Sequence, residues 1–136
     1  MREPVYYSGS AKFFDTHAHI YDSKFDANNV TTEDIIKRCI SSGVTSVLIP
    51  ADNEETSRIA VDMANKYDGY EGIALYASVG VHPHEAKTYT KDTEEYLRNA
   101  LEARRGLKIM ALGEIGLDYY YDLSERSVQR AVFEKQ

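Results

Sequence analysis

The sequence is poor in cysteine, in basic charge and in long apolar runs. Cys39 is its single cysteine, which excludes an internal disulfide and any four-cysteine zinc site and fits a reducing compartment. Lys and Arg number 16 against 22 Asp and Glu, a net charge of −6. That balance gives no support to a nucleic-acid coat protein or a membrane-surface binder. No apolar stretch approaches the ~20 residues of a membrane span. The N-terminal MREPVYYSGSAK has no hydrophobic segment long enough for a signal peptide. These absences lead to the expectation of a soluble, cytoplasmic protein with no membrane partner.

What is present reads as one α/β domain. A chain of 136 residues, 43% apolar and 28% charged, can bury roughly two-thirds of its unfolded surface without a disulfide or structural metal. Residues 1–12 read as an N-terminal tail: Ser8–Ser10 is linker-like, and Tyr6 and Tyr7 either pack on the body or lie exposed. Beyond it, strand-like and helix-like segments alternate. Strands are expected over 13–20, 45–50, 73–81 and 108–115. Helices are expected over about 32–42, 53–67, 90–104 and from Ser124 onward. Ile35, Ile36, Cys39 and Ile40 make one helical face, as do Ile59, Ala60, Met63, Ala64 and Tyr67. Thr31 or Thr32 suits the first N-cap and Gly43 its stop, and Asp52 with Glu55 has capping-box spacing. Strict β-α alternation with short connections implies a parallel sheet covered by helices. Two architectures remain open at this point: a small doubly wound sheet, or four of the eight units of a TIM-type (β/α)8 barrel, which takes ~250 residues in full.

The chemistry-bearing residues collect at strand ends. In FFDTHAH, period-two alternation would put Asp15, His17 and His19 on one face and Phe14, Thr16 and Ala18 on the other, mostly apolar face, which suits packing against helices. Two imidazoles at the carboxyl end of a parallel strand suit a zinc or other divalent ion; two polar residues closing a strand is the plainer alternative. Glu114, in GEIGLDYYY, ends the fourth strand. Met110, Leu112 and Glu114 would share a face, apolar below and acidic at the mouth. That carboxylate is either a solvated acid or a metal ligand. His82 and His84, in GVHPH, end the third strand, where Ser78 and Gly80 would clear space below the imidazole. Their candidate roles are substrate-phosphate binding, hydrogen bonding behind a ligand, or none in chemistry. All four histidines thus fall at the ends of two strands, and a shared mouth explains that placement.

DTHAH, GVHPH and GEIGLDYYYDLS, in this order and spacing, resemble the TatD family of metal-dependent hydrolases in the amidohydrolase superfamily, over residues 13–136. The resemblance implies a (β/α)8 barrel of which this chain supplies the first four βα units. It implies two divalent metal ions per intact site (Zn, Mg or Mn). His17 and His19 would ligate one ion and Glu114 would be shared between both, with His82 and His84 near the substrate. The implied activity is phosphodiester hydrolysis on DNA. The family's remaining ligands, two histidines and an aspartate, lie beyond Gln136, so the resemblance implies an N-terminal half that is inactive alone. Two further readings stand beside it: the same site acting as an ester hydrolase on aminoacyl-tRNA, or a non-catalytic half-barrel that associates with another half or with itself. The half-barrel reading expects open edges on the first and fourth strands, with Tyr76, Met110 and Leu112 facing the place of the other half.

Overall fold

A computed structural model describes residues 9–136; Tyr6, Tyr7 and most of the expected 1–12 tail lie outside the described residues. Four strands, β1 (Phe13–Asp15), β2 (Val44–Ile49), β3 (Ala74–Val79) and β4 (Ile109–Leu112), alternate with five helices. These are α1 (Ser23–Ala27), α2 (Thr32–Ser41), α3 (Glu54–Tyr67), α4 (Lys91–Glu102) and α5 (Arg126–Lys135). Short 3-10 turns cover Tyr70–Gly72 and Pro83–Thr88.

The strands pair in parallel in the order β1-β2-β3-β4. That order decides between the two architectures. A doubly wound sheet reverses direction at a switch point, whereas this one adds each strand on the same side of the last, as a barrel does. Val47, Ile49, Leu75, Ala77 and Val79 are buried on the face covered by the helices, against Ile35 and Ile36 of α2, Ala60 and Ala64 of α3 and Leu97 of α4. Each fully buried Leu, Ile or Val side chain is worth about 1.5–3 kcal/mol over its exposed state. The opposite, lumen-type face is open: Phe14 is 44% and Met110 51% exposed.

The helices start where polar side chains replace missing backbone partners. Thr31 and Asp34 form a reciprocal capping box at α2. At α3 the box is Asn53 with Thr56, one residue later than the expected Asp52 with Glu55. This frees the Asp52 side chain for the mouth. Helix α5 starts at Arg126, two residues later than expected. Ser124 serves the loop instead, donating to the His84 carbonyl and accepting from the Lys87 N–H. Helix α1 was not anticipated; it is five residues long, has no fully buried residue, and offers little periodicity to read.

Two face assignments are overturned, both by register irregularities. The pairing slips between Phe13 and Phe14, so Phe14 sits on the lumen face, its ring 6.0 Å from that of Tyr76. Asp15 aligns with outward-facing Val47, close enough to Cys39 for its charge to add to the burial that raises the thiol pKa. A second irregularity shifts β4 against β3. Leu112 therefore aligns with Val79 and lines a small cavity with Leu97 and Leu101 of α4. Met110 and Leu112 do not share a face. Among the described residues no helix is long and apolar enough to cross a membrane.

Candidate metal centre

Strand β1 ends at Asp15, and the chain bends at Thr16. His17 and His19 therefore leave from a loop rather than from an unbroken strand. The loop is held at both ends: the Asp15 carboxylate accepts the His17 N–H at 3.0 Å, and the Ala18 N–H donates to the Leu48 carbonyl at 3.2 Å. Glu114 also lies beyond its strand. After β4 the backbone crosses the top of the sheet: the Gly113 N–H donates to the Val79 carbonyl of β3 (2.9 Å), and the Glu114 N–H to the Ala51 carbonyl after β2 (2.8 Å). Three inter-strand spacings, roughly 14 Å at ~4.8 Å each, separate β1 from β4. A curved sheet and this crossing close that gap, and the end of β2 anchors both arms.

The crossing depends on Gly80. A Cβ there would meet the Gly113 carbonyl carbon at 2.7 Å and its oxygen at 2.8 Å. Gly80 is thus small for the sake of Gly113 and not, as its position below His82 suggested, to clear space under the imidazole. Ser78, buried beneath, donates its hydroxyl to the Gly113 carbonyl at 2.8 Å.

His17, His19 and Glu114 converge, with their ligand atoms within 4.8 Å of one another. The two Nε2 atoms are 3.2 Å apart; Glu114 Oε1 lies 3.6 Å from His17 Nε2, and Oε2 lies 3.6 Å from His19 Nε2. Ligand atoms about 2.0–2.1 Å from a tetrahedral zinc stand roughly 3.3 Å apart, so the separations and the donor chemistry both fit one divalent ion. With Nε2 of His19 as a ligand, the ring proton sits on Nδ1 and donates to the Tyr21 hydroxyl 3.0 Å away. The Tyr21 phenol is pushed up to about 12, first by burial and then by the Asp52 charge. Burial, followed by the hydrogen-bonding Asp52 carboxyl, raises the Glu114 pKa, against the pull of His17.

A cavity of about 430 Å³ opens beside these ligands, lined by His19, Asp52, His82, His84, Glu85 and Glu114. A larger groove between α3 and α4, about 620 Å³, shares no residue with it and carries no histidine. His82 Nδ1 accepts the His84 N–H at 3.1 Å, so neutral His82 carries its proton on Nε2 as a donor. Burial, then neighbouring His84, lowers the His82 pKa and favours that neutral form. His84 Nε2 bonds Asp118 Oδ2 at 2.5 Å. Asp118 is held below the usual carboxylate range, first by the Tyr121 N–H and then by His84. The structure thus gathers all five sequence-identified residues at one mouth, with the ligand cluster on one side and the His82–His84 pair on the other. Sequence reasoning missed Tyr21, Asp52 and Asp118. Tyr21 continues the every-second-residue run of His17 and His19, and Asp52 follows the end of β2, so both carried a readable signal. Asp118 is visible only through its contact with His84.

The family model described as "TatD related DNase" matches residues 14–136. The chain belongs to that family. A Bacillus subtilis relative, "uncharacterized metal-dependent hydrolase YabD", is 32% identical over 123 residues, covering 90% of this chain and 44% of the relative. A Pantoea ananatis relative, "3'-5' ssDNA/RNA exonuclease TatD", is 30% identical over 90% of this chain and 44% of its own length. Among solved structures, a TatD-family hydrolase from Entamoeba histolytica superposes with a TM-score of 0.79 at 24% identity, over 93% of this chain and 45% of that one. The Escherichia coli TatD homologue YjjV superposes at 0.73 with 31% identity, over 90% and 44%. The chain thus has the α/β fold of TatD barrels and spans less than half the length of these relatives.

Proposed function

We propose that residues 13–136 form the first half of a TatD-type barrel whose site hydrolyses phosphodiesters of single-stranded DNA or RNA. The observation that carries the proposal is the convergence of His17, His19 and Glu114 within 4.8 Å beside a cavity lined by two further histidines. The name of the Pantoea relative, a single-stranded DNA/RNA exonuclease, supports the substrate class. His17, His19 and Glu114 would hold a divalent ion, and such an ion would supply Lewis-acid polarisation of a phosphoryl oxygen and a more acidic water. Glu114, with two carboxylate oxygens, would be the ligand shared between ions if the site holds a pair, as the family resemblance implies. His82, its proton fixed on Nε2, donates to a non-bridging phosphate oxygen. His84, tethered to Asp118, holds the His82 ring in place through its own N–H. The net charge of −6 is no obstacle, because bound cations supply the local positive charge. The open lumen face, with Phe14 and Met110 uncovered, supports association with a second half or a second copy.

The test has two arms. Calorimetric titration with Zn²⁺ or Mn²⁺ should show binding that is lost in His19→Ala; an unchanged titration refutes the site. With a labelled single-stranded oligonucleotide and Mn²⁺, the 136-residue chain should be silent alone. Cleavage should appear when the C-terminal half of the Bacillus relative is added, and should vanish with chelator or with His19→Ala. Cleavage by the chain alone refutes the requirement for a second half.

A further inference from the structure

The loop after Glu114 presents two aromatic rings largely to solvent. Tyr120 is 86% and Tyr121 64% exposed. Their rings meet edge to face at 4.8 Å, and Tyr121 reaches His84 edge to face at 5.6 Å. Exposed tyrosines on a loose loop would be unremarked, but this backbone is over-determined. Asp118 Oδ1 accepts the N–H of both Tyr120 (2.8 Å) and Tyr121 (3.1 Å). Asp118 is itself clamped by Gln129, 1% exposed, whose side chain accepts the Asp118 N–H and donates to the Asp118 and Ser124 carbonyls. Downstream, Arg126 grips Asp122 through both guanidinium and carboxylate groups and lies 4.8 Å over the Tyr119 ring. The fold therefore spends buried polar contacts to hold in place a turn whose aromatic side chains face water.

We propose that Tyr120 and Tyr121 are a stacking platform for the bases of a single-stranded nucleic acid whose phosphate is delivered past His84 to the metal centre. The inference rests on the phosphodiesterase reading and adds residues to it. Three observations favour this occupant over an apolar protein segment. Each ring offers a π-face, which any base can use without sequence readout. The platform adjoins, through Tyr121 and His84, the cavity that holds Glu114. Arg130 contacts the Tyr119 hydroxyl and brings a cation beside the platform, whereas the charge of Arg126 is paired with Asp122. In a chain of net charge −6, stacking rather than bulk electrostatics must carry the affinity. The dependence on salt should accordingly be shallow, since each phosphate neutralised adds only about 0.7 to the logarithmic slope for single strands.

The experiment measures binding of fluorescein-labelled oligo(dT) to the 136-residue chain in EDTA by anisotropy, so that no hydrolysis or metal enters. Tyr120→Ala with Tyr121→Ala should weaken binding at least about 10-fold, within the range that base stacking supplies, whereas Tyr120→Phe with Tyr121→Phe should bind within about 2-fold of the parent because the π-face is retained. Both positions are exposed, and circular dichroism checks that each variant folds. Equal affinity of the alanine pair and the parent overturns the platform, and is the outcome if the rings instead seat another protein segment. A phenylalanine pair as weak as the alanine pair overturns stacking in favour of the hydroxyls. No oligonucleotide binding by the parent chain also overturns it, and zinc titration of the same protein preparation after removal of the EDTA tells that failure apart from failure of the metal-site reading.

Discussion

Replacing Gly80 with alanine tests the fold and the metal centre together. The new Cβ would stand 2.7 Å from the Gly113 carbonyl carbon, 2.8 Å from its oxygen and 3.0 Å from its Cα. Carbon atoms rest at about 3.5–4.0 Å, so the two backbones must separate by roughly 0.8–1.3 Å. Gly113 has no slack to give, because its N–H is bonded to Val79 and its carbonyl to Ser78, while the next N–H is bonded to Ala51. Overpacking of this kind costs about 1–3 kcal/mol, and loosening one or two of these hydrogen bonds adds about 0.5–1.5 kcal/mol each. A loss of roughly 2–4 kcal/mol is expected, which lowers the melting temperature of a domain this size by on the order of 10 °C. The same displacement carries Glu114 away from the histidines by several times the ~0.2 Å that a metal-ligand distance tolerates, so zinc affinity should fall at least about 10-fold. The assays are a thermal melt by circular dichroism and calorimetric zinc titration. Gly106→Ala is the control: its Cβ would meet only the Ala103 carbonyl oxygen at 3.7 Å, and it should leave both readouts unchanged. Parent-like melting and parent-like zinc binding in Gly80→Ala would refute the close-crossing argument.

Three other outcomes follow from the same geometry. Tyr21→Phe removes the partner of His19 Nδ1 and should weaken zinc binding about 10- to 100-fold, as losses behind a ligand do, with little change in melting temperature; an unchanged titration would show that Tyr21 does not orient the ring. Gln129→Leu strands the three backbone groups of Asp118 and Ser124 that the buried amide serves and should cost about 2–4 kcal/mol in urea unfolding; a cost under about 1 kcal/mol would mean the loop finds other partners. The Asp118 pKa is depressed in the fold, so its contribution to stability is full above the unfolded value of about 3.9 and drains away as pH falls through the lower folded value; urea midpoints of the parent should therefore drop more steeply below about pH 4 than those of Asp118→Asn, and parallel curves would refute the linkage.

Much of the architecture was legible in the chain itself. Apolar spacing located α2, α3 and α4, since a helix that buries one face must repeat its apolar residues near every 3.6 positions; Ile35 with Ile36 and Ala60 with Ala64 sit in the core where that spacing put them. Strict alternation implied parallel strands, and the residues at strand ends marked the mouth: His17, His19, His82, His84 and Glu114 all lie there. The DTHAH, GVHPH and GEIGLDYYY segments were enough to indicate the TatD family, whose model matches residues 14–136. What the chain could not state was register. Whether Phe14 and Leu112 face the lumen or the helices depends on one-residue slips between neighbouring strands, and a slip reverses every following side chain. The choice of barrel over doubly wound sheet lay in which side each strand joined, a property of three-dimensional packing that composition and periodicity do not encode. Tyr21 and Asp52 left a trace in the chain, but Asp118 acquires meaning only when the fold brings it against His84, and Glu114 only when the backbone crossing at Gly80 carries it to His17 and His19, about a hundred residues away, because a contact depends on distance in space and not on separation along the chain.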